Sequence, residues 1–249
     1  MLRCAGSIMA APLVSVALLT ASPTLASGLQ VAPVSVTLTA AETADGLTLS
    51  NVGDQPLHAQ VRVYRWHQGD DDSETLEPTA DLIVSPPMIA LQPGTQQLVR
   101  VVRAGTAPRA GDAEAAYRVV VDELPITADG THGGLNFVLR YTLPVFMLPP
   151  GPEVEPDLQW NLVEVDGAIA LTVANSGGKH AQVADVALVG ADGTRTVLAP
   201  GLLGYALAGA SRTWTTAAPW SASALEGTLE VRINGQEAQE TLPVAGSSR

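Results

Sequence analysis

The side chains with reactive or metal-binding chemistry are few and poorly spaced for it. The four histidines, His58, His67, His132 and His180, are scattered over 249 residues with no metal-ligand interval between them. The single cysteine is Cys4, and no Gly-x-Ser-x-Gly step is present to present a serine nucleophile. The densest charge run, Asp70 to Asp72 with Glu74, lacks the alternating carboxylates, glycine and distal glutamate of a calcium loop, and reads as a solvated hairpin tip. No catalytic residue, metal site or cofactor is therefore expected. What the sequence does offer is an apolar comb. Leu135, Phe137, Leu139 and Tyr141 alternate with Asn136, Val138 and Arg140, so a strand there sets four large apolar side chains on one face.

The elements that must position this comb are also strands. After residue 28 the chain is a succession of short alternating runs broken by Gly, Pro, Asn and Asp, among them Leu47–Ser50, His58–Arg65, Gln97–Val102 and Tyr117–Val121. That pattern predicts an all-β chain of sandwich type. A proline-rich junction at Pro149, Pro150 and Pro152 precedes a second set, at Ala168–Val173, Val183–Val189 and Thr228–Ile233. The boundary is placed there, giving domains over 27–149 and 150–249. Asn51-Val-Gly53 and Asn175-Ser-Gly177 echo one another, which suggests two related sandwiches, each turning on a glycine with positive φ.

Residues 1–26 read as a signal peptide. Met1 to Arg3 give a positive start, Ile8 to Leu19 an apolar stretch, and Thr24 and Ala26 the small residues of a cleavage site. The stretch is shorter than the roughly 20 residues of a spanning helix, so no stable membrane insertion is expected. A mature chain from Ser27 has no thiol and hence no disulfide. Arg3 is the only charged residue removed, so the mature charge is 12 − 25 = −13, which argues against nucleic acid as a partner.

Several segments, in order, resemble the periplasmic chaperones of the chaperone-usher pilus pathway, the PapD-like family. They are Leu29–Val36, Leu49–Gly53, Val61–Trp66, Asp81–Pro87, Leu91–Gly94 with Val99-Arg100, Tyr117–Pro125 and Leu143–Phe146. Trp160, Asn175–Gly177 and Gly204-Tyr205 continue the match, which looks most similar to the archaic, spore-coat-U-associated branch. Pro86-Pro87 resembles the family's turn, where a cis bond is compatible with the sequence.

The resemblance implies two immunoglobulin-like sandwiches set at an angle with a cleft between them, pilin subunits and an outer-membrane usher as partners, and a periplasmic location. It also implies that a free form can self-associate through its edge. By composition alone, Leu135, Phe137, Leu139 and Tyr141 would pack into the protein's own core; the resemblance makes them the strand donated to a pilin. On that reading Val138, in the opposite phase, should point into the protein's own sandwich. Only Ile126 to Gly134 separate the comb from the preceding strand, as in the short-loop branch of the family.

Two family features are incomplete. The basic pair that grips the pilin's terminal carboxylate falls on Ser35 and near Leu143 or Pro144, none of them basic, which leaves Arg140 and Arg118 as candidate anchors. Glu114 matches the acid of the family's interdomain ion pair, but its basic partner position holds Leu148. The other class of function compatible with the fold is a secreted two-domain adhesin or binding module.

Overall fold

A computed structural model describes residues 28–69, 72–125, 138–152, 154–190, 192–219 and 227–242. Among these every regular element is a strand. The first four-stranded sheet is ordered β1 (Leu29–Ala32), β3 (Ala44–Asn51), β8 (Gln96–Arg103), β6 (Leu82–Ser85). Facing it is a sheet ordered β2 (Val36–Leu38), β10 (Arg140–Met147), β9 (Ala115–Leu124), β4 (Leu57–Gln68), β5 (Glu74–Pro78), with β7 (Met88–Leu91) also on β4.

A second sandwich uses residues 158–241. Its sheets run β11 (Leu158–Val165), β12 (Ala168–Asn175), β15 (Ser211–Pro219) and β14 (Arg195–Ala206), β13 (Ala181–Val189), β16 (Thr228–Ile233), β17 (Gln236–Thr241). The alternation of the sequence becomes the inward set of each strand: Leu47 and Leu49, Val99 and Val101, Val119 and Val121 in the first core; Leu171, Val173 and Leu229 in the second. Cis peptide bonds precede Pro33 and Pro86; the bond joining Pro86 to Pro87 is not one of them.

The Asn-x-Gly echo corresponds to one repeated device. Asn51 Nδ2 donates to the carbonyls of Gln55 (2.8 Å) and Leu91 (3.2 Å), and its Oδ1 accepts from Gly53 N at 3.0 Å. Asn175 does the same with Lys179 (2.8 Å), Ala206 (3.1 Å) and Gly177 N (3.0 Å). The reason for the glycines differs from the expectation, because neither Gly53 nor Gly177 has positive φ. Close approach requires the glycine at 177, where a Cβ would sit 2.4 Å from Asp157 N; at Gly53 the approach is tight, a Cβ standing 3.2 Å from Gly28 Cα.

Candidate functional site

β10 is antiparallel to β9 along its whole length, but β2 covers only Val145 to Met147 on the other side. Two hydrogen bonds fix the strand's phase. Glu123 N donates to Leu139 O, and Leu148 N donates to Leu38 O. Odd residues therefore exchange main-chain bonds with β9, and even ones face the opposite side. Between residues 140 and 144 that side carries the main-chain groups of Arg140 and Thr142, and it closes at Pro144, which has no N–H and whose carbonyl is the first group taken up by the parallel pairing of Val145 with Val36. Among the described residues no strand pairs with this stretch.

Of the apolar comb, Leu135 and Phe137 lie outside the described residues, as does the segment from Ile126. Leu139 is partly buried, and Tyr141 packs against the first core and donates its hydroxyl to Leu29 O at 2.6 Å. The expectation for Val138 is overturned: its side chain is 52% exposed. Leu139 and Tyr141 share their phase with Leu143, Val145 and Met147, all in the core, so the comb is the outward continuation of the core-facing row.

The two candidate arginines have different surroundings. Arg140 pairs with Asp122, which also receives Arg62 at 2.5 Å. Burial pushes the Asp122 carboxyl up, but the hydrogen bonds from Arg62 and Arg140 and their charges outweigh it and hold the group below the usual carboxylate range. Arg140 is thus already partnered, on an exposed surface.

Arg118 sits directly across from Pro144, where the family's second basic residue is missing. Its guanidinium lies 3.5 Å over the Trp66 ring and 5.4 Å from the ring centre of Tyr205, a residue of the second sandwich. No carboxylate forms an ion pair with it among the described residues. Burial pushes its pKa below the ordinary arginine value against the charges of Glu74 and Tyr205, and the nearby Glu74 is engaged by Gln68 (3.0 Å) and Arg212 (3.6 Å). Arg118 is a partly desolvated cation held by aromatic faces. Ser35, at the family's other basic position, is exposed on the connection from β1 to β2.

The surroundings of Arg118 are built by contacts between the sandwiches. Trp66, Ala116 and Phe146 form one apolar cluster with Leu207 and Ala210, and Phe146 stacks on His180 with centroids 3.6 Å apart. Glu114 N donates to Gly178 O at 2.9 Å, while its Oε1 accepts from His180 N (2.8 Å) and pairs with His180 Nδ1 (2.7 Å). His180, four strands further along the chain than Glu114, takes the place that Leu148 leaves without a base. The Gln68 amide clamps the C-terminal end of β14, donating to Tyr205 O (2.8 Å) and accepting from Leu207 N (2.9 Å). The acidic hairpin tip is also not simply solvated. Asp72 Oδ1 accepts from Thr213 N at 2.6 Å, and Arg212 donates to Asp72 O. Sequence reading missed Trp66, His180, Tyr205 and Gln68 as site residues; no local pattern marks them, because each matters only through the other sandwich.

Comparison with known proteins fits this architecture. A family model described as Pili and flagellar-assembly chaperone, PapD N-terminal domain, matches residues 28–153. No curated protein gives a significant match. Solved structures do. A CsuC-CsuE chaperone-tip adhesion subunit complex from archaic chaperone-usher Csu pili of Acinetobacter baumannii is 21% identical with a TM-score of 0.64, over 86% of this chain and 97% of that one. A Salmonella enterica SafA pilin complex with the SafB chaperone gives 21% and 0.61, over 89% and 99%. The Pseudomonas aeruginosa CupB2 chaperone gives 19% and 0.59, over 86% and 100%. At these identities the likeness is one of fold. The family match spans half of the chain, on a fold of two β-sandwiches, and the chain therefore belongs to the pili and flagellar-assembly chaperones with a PapD N-terminal domain and serves pilus assembly.

Proposed function

We propose that the protein works by β-strand addition, of which chaperone–pilin pairing is a known instance. The row Leu135, Phe137, Leu139 and Tyr141 is lent to a pilin subunit that lacks its own last strand, and Arg118 receives the pilin's terminal carboxylate. The observation that carries this reading is the uncovered edge of β10 from Arg140 to Pro144, beside an arginine without an ion-pair partner among the described residues. Main-chain bonds along that edge supply affinity, and the apolar row continues the chaperone's core into the open groove of the subunit. Each large side chain buried there contributes about 1.5 to 3 kcal/mol. The chain reaches the periplasm by way of residues 1–26, hands its subunit to an outer-membrane usher, and in the free state protects its edge by pairing with a second copy.

The test is co-expression with a pilin subunit, followed by pull-down and thermal melting of the free chaperone. Leu139→Arg places a charge in the groove and should abolish capture while shifting the melting temperature little, because Leu139 is only partly buried in the free chain. Capture that survives this substitution would sink the assignment.

A further inference from the structure

Arg118 belongs to the first sandwich, but its setting does not. One wall is Trp66; the other is Tyr205, at the end of β14 in the second sandwich. Tyr205 is held from three directions. Its carbonyl accepts from Gln68 at 2.8 Å, its ring meets Trp66 edge-on at 5.7 Å, and its hydroxyl oxygen accepts from Gln182 Nε2 at 2.9 Å. A phenol that accepts through oxygen retains its proton to donate. Among the described residues no acceptor is assigned to that proton.

We propose that the Tyr205 hydroxyl is the second donor of the carboxylate site, so that the pilin terminus is gripped by one group from each sandwich. This rests on the reading of Arg118 as the anchor. The chemistry is complementary: a carboxylate has two oxygens and about four lone-pair sites, and a guanidinium with a fixed phenol satisfies more of them than either alone. Gln182 is itself fixed, since its main-chain N donates to Asn234 Oδ1 at 2.8 Å, so the phenol is pre-positioned rather than recruited. The second sandwich thus acts as a specificity element for a free chain end, and the docking contacts at Gln68 and Glu114 position the site without touching its ligand.

The experiment uses the full mature chain and two synthetic peptides with the same alternating apolar sequence, one ending in a free carboxylate and the other in an amide. Binding is followed by the fluorescence of Trp66, with Trp66→Phe as the control that assigns the signal. Wild type should prefer the acid. Arg118→Gln should erase the preference, whereas Tyr205→Phe should reduce it by about tenfold, as expected for one hydrogen bond to a charged group, while leaving amide binding unchanged. Gln182→Ala should fall between wild type and Tyr205→Phe. A full acid preference in Tyr205→Phe, with the preference lost in Arg118→Gln, would overturn the shared site and leave the arginine anchor standing. A wild type that does not tell the peptides apart, or an Arg118→Gln protein that still does, would overturn the anchor and the shared site with it.

Discussion

The two sandwiches carry the same buried asparagine and finish their edges differently. Asn51 and Asn175 are 1% and 2% exposed and make matching bonds, each tying the end of one strand to the start of the next and to a third segment. The frameworks are thus stabilised alike. In the first sandwich, however, β10 is covered on one side by only three residues of β2, and its outward face at Phe146 is buried against the partner sandwich. The comparison teaches that a repeated frame can be finished in different ways: β10 is covered by β2 over part of its length, whereas β11, β15, β14 and β17 of the second sandwich pair on one side only among the described residues.

The largest expected effect tests the frame. Asn51→Ala and Asn175→Ala each orphan two carbonyls, one of them buried, together with one N–H at Asn51 and two at Asn175, and should each cost about 3 kcal/mol, read by urea denaturation. A cost at Asn175 less than half that at Asn51 would break the equivalence. Next comes the seam between the sandwiches. Glu114→Ala leaves the His180 N–H groups without their acceptor and should cost about 2 kcal/mol, whereas Glu114→Gln keeps an oxygen in place and should recover most of it. Equal losses for the two variants would show that the hydrogen bond does not hold the seam.

A smaller effect sharpens the account of the edge. The Asp122 carboxyl is depressed in the folded state, so the stability it contributes is present above its unfolded pKa of about 3.9 and is lost as pH falls below that value. Melting curves from pH 6 down to pH 3 should therefore fall more steeply for wild type than for Asp122→Asn; parallel curves would contradict the pairing with Arg62 and Arg140. The smallest effect is at Val138. Its arginine variant should stay within about 0.5 kcal/mol of wild type, because the side chain already faces solvent.

Much of the frame was legible from the residues. Alternation in His58–Arg65 and Tyr117–Val121 marks β4 and β9, and the two Asn-x-Gly steps mark the repeated tie. The phase of β10 was not legible. Apolar residues occur in both phases, with Val145 and Met147 facing the core and Phe146 facing the other sandwich, so period two cannot say which row is inward. The partner of Glu114 was hidden for a similar reason. The base sits 66 positions away at His180, and only the docking of the sandwiches brings it near. The hairpin at Asp72 and Glu74 reads as solvated because its acids are local to one another, while Arg212 and Thr213 that meet them are not.

The uncovered stretch of β10 also has a definite length. It runs from Arg140 to Pro144, about 17 Å at 3.4 Å per residue, and it stops where β2 begins and where Pro144 offers no N–H. A segment zipping onto this edge toward residue 144 meets a fixed endpoint one strand away from Arg118. On the proposed reading the strand is a ruler as well as a splint: it sets how far an incoming chain can advance, and so which residue of that chain comes to rest beside the arginine.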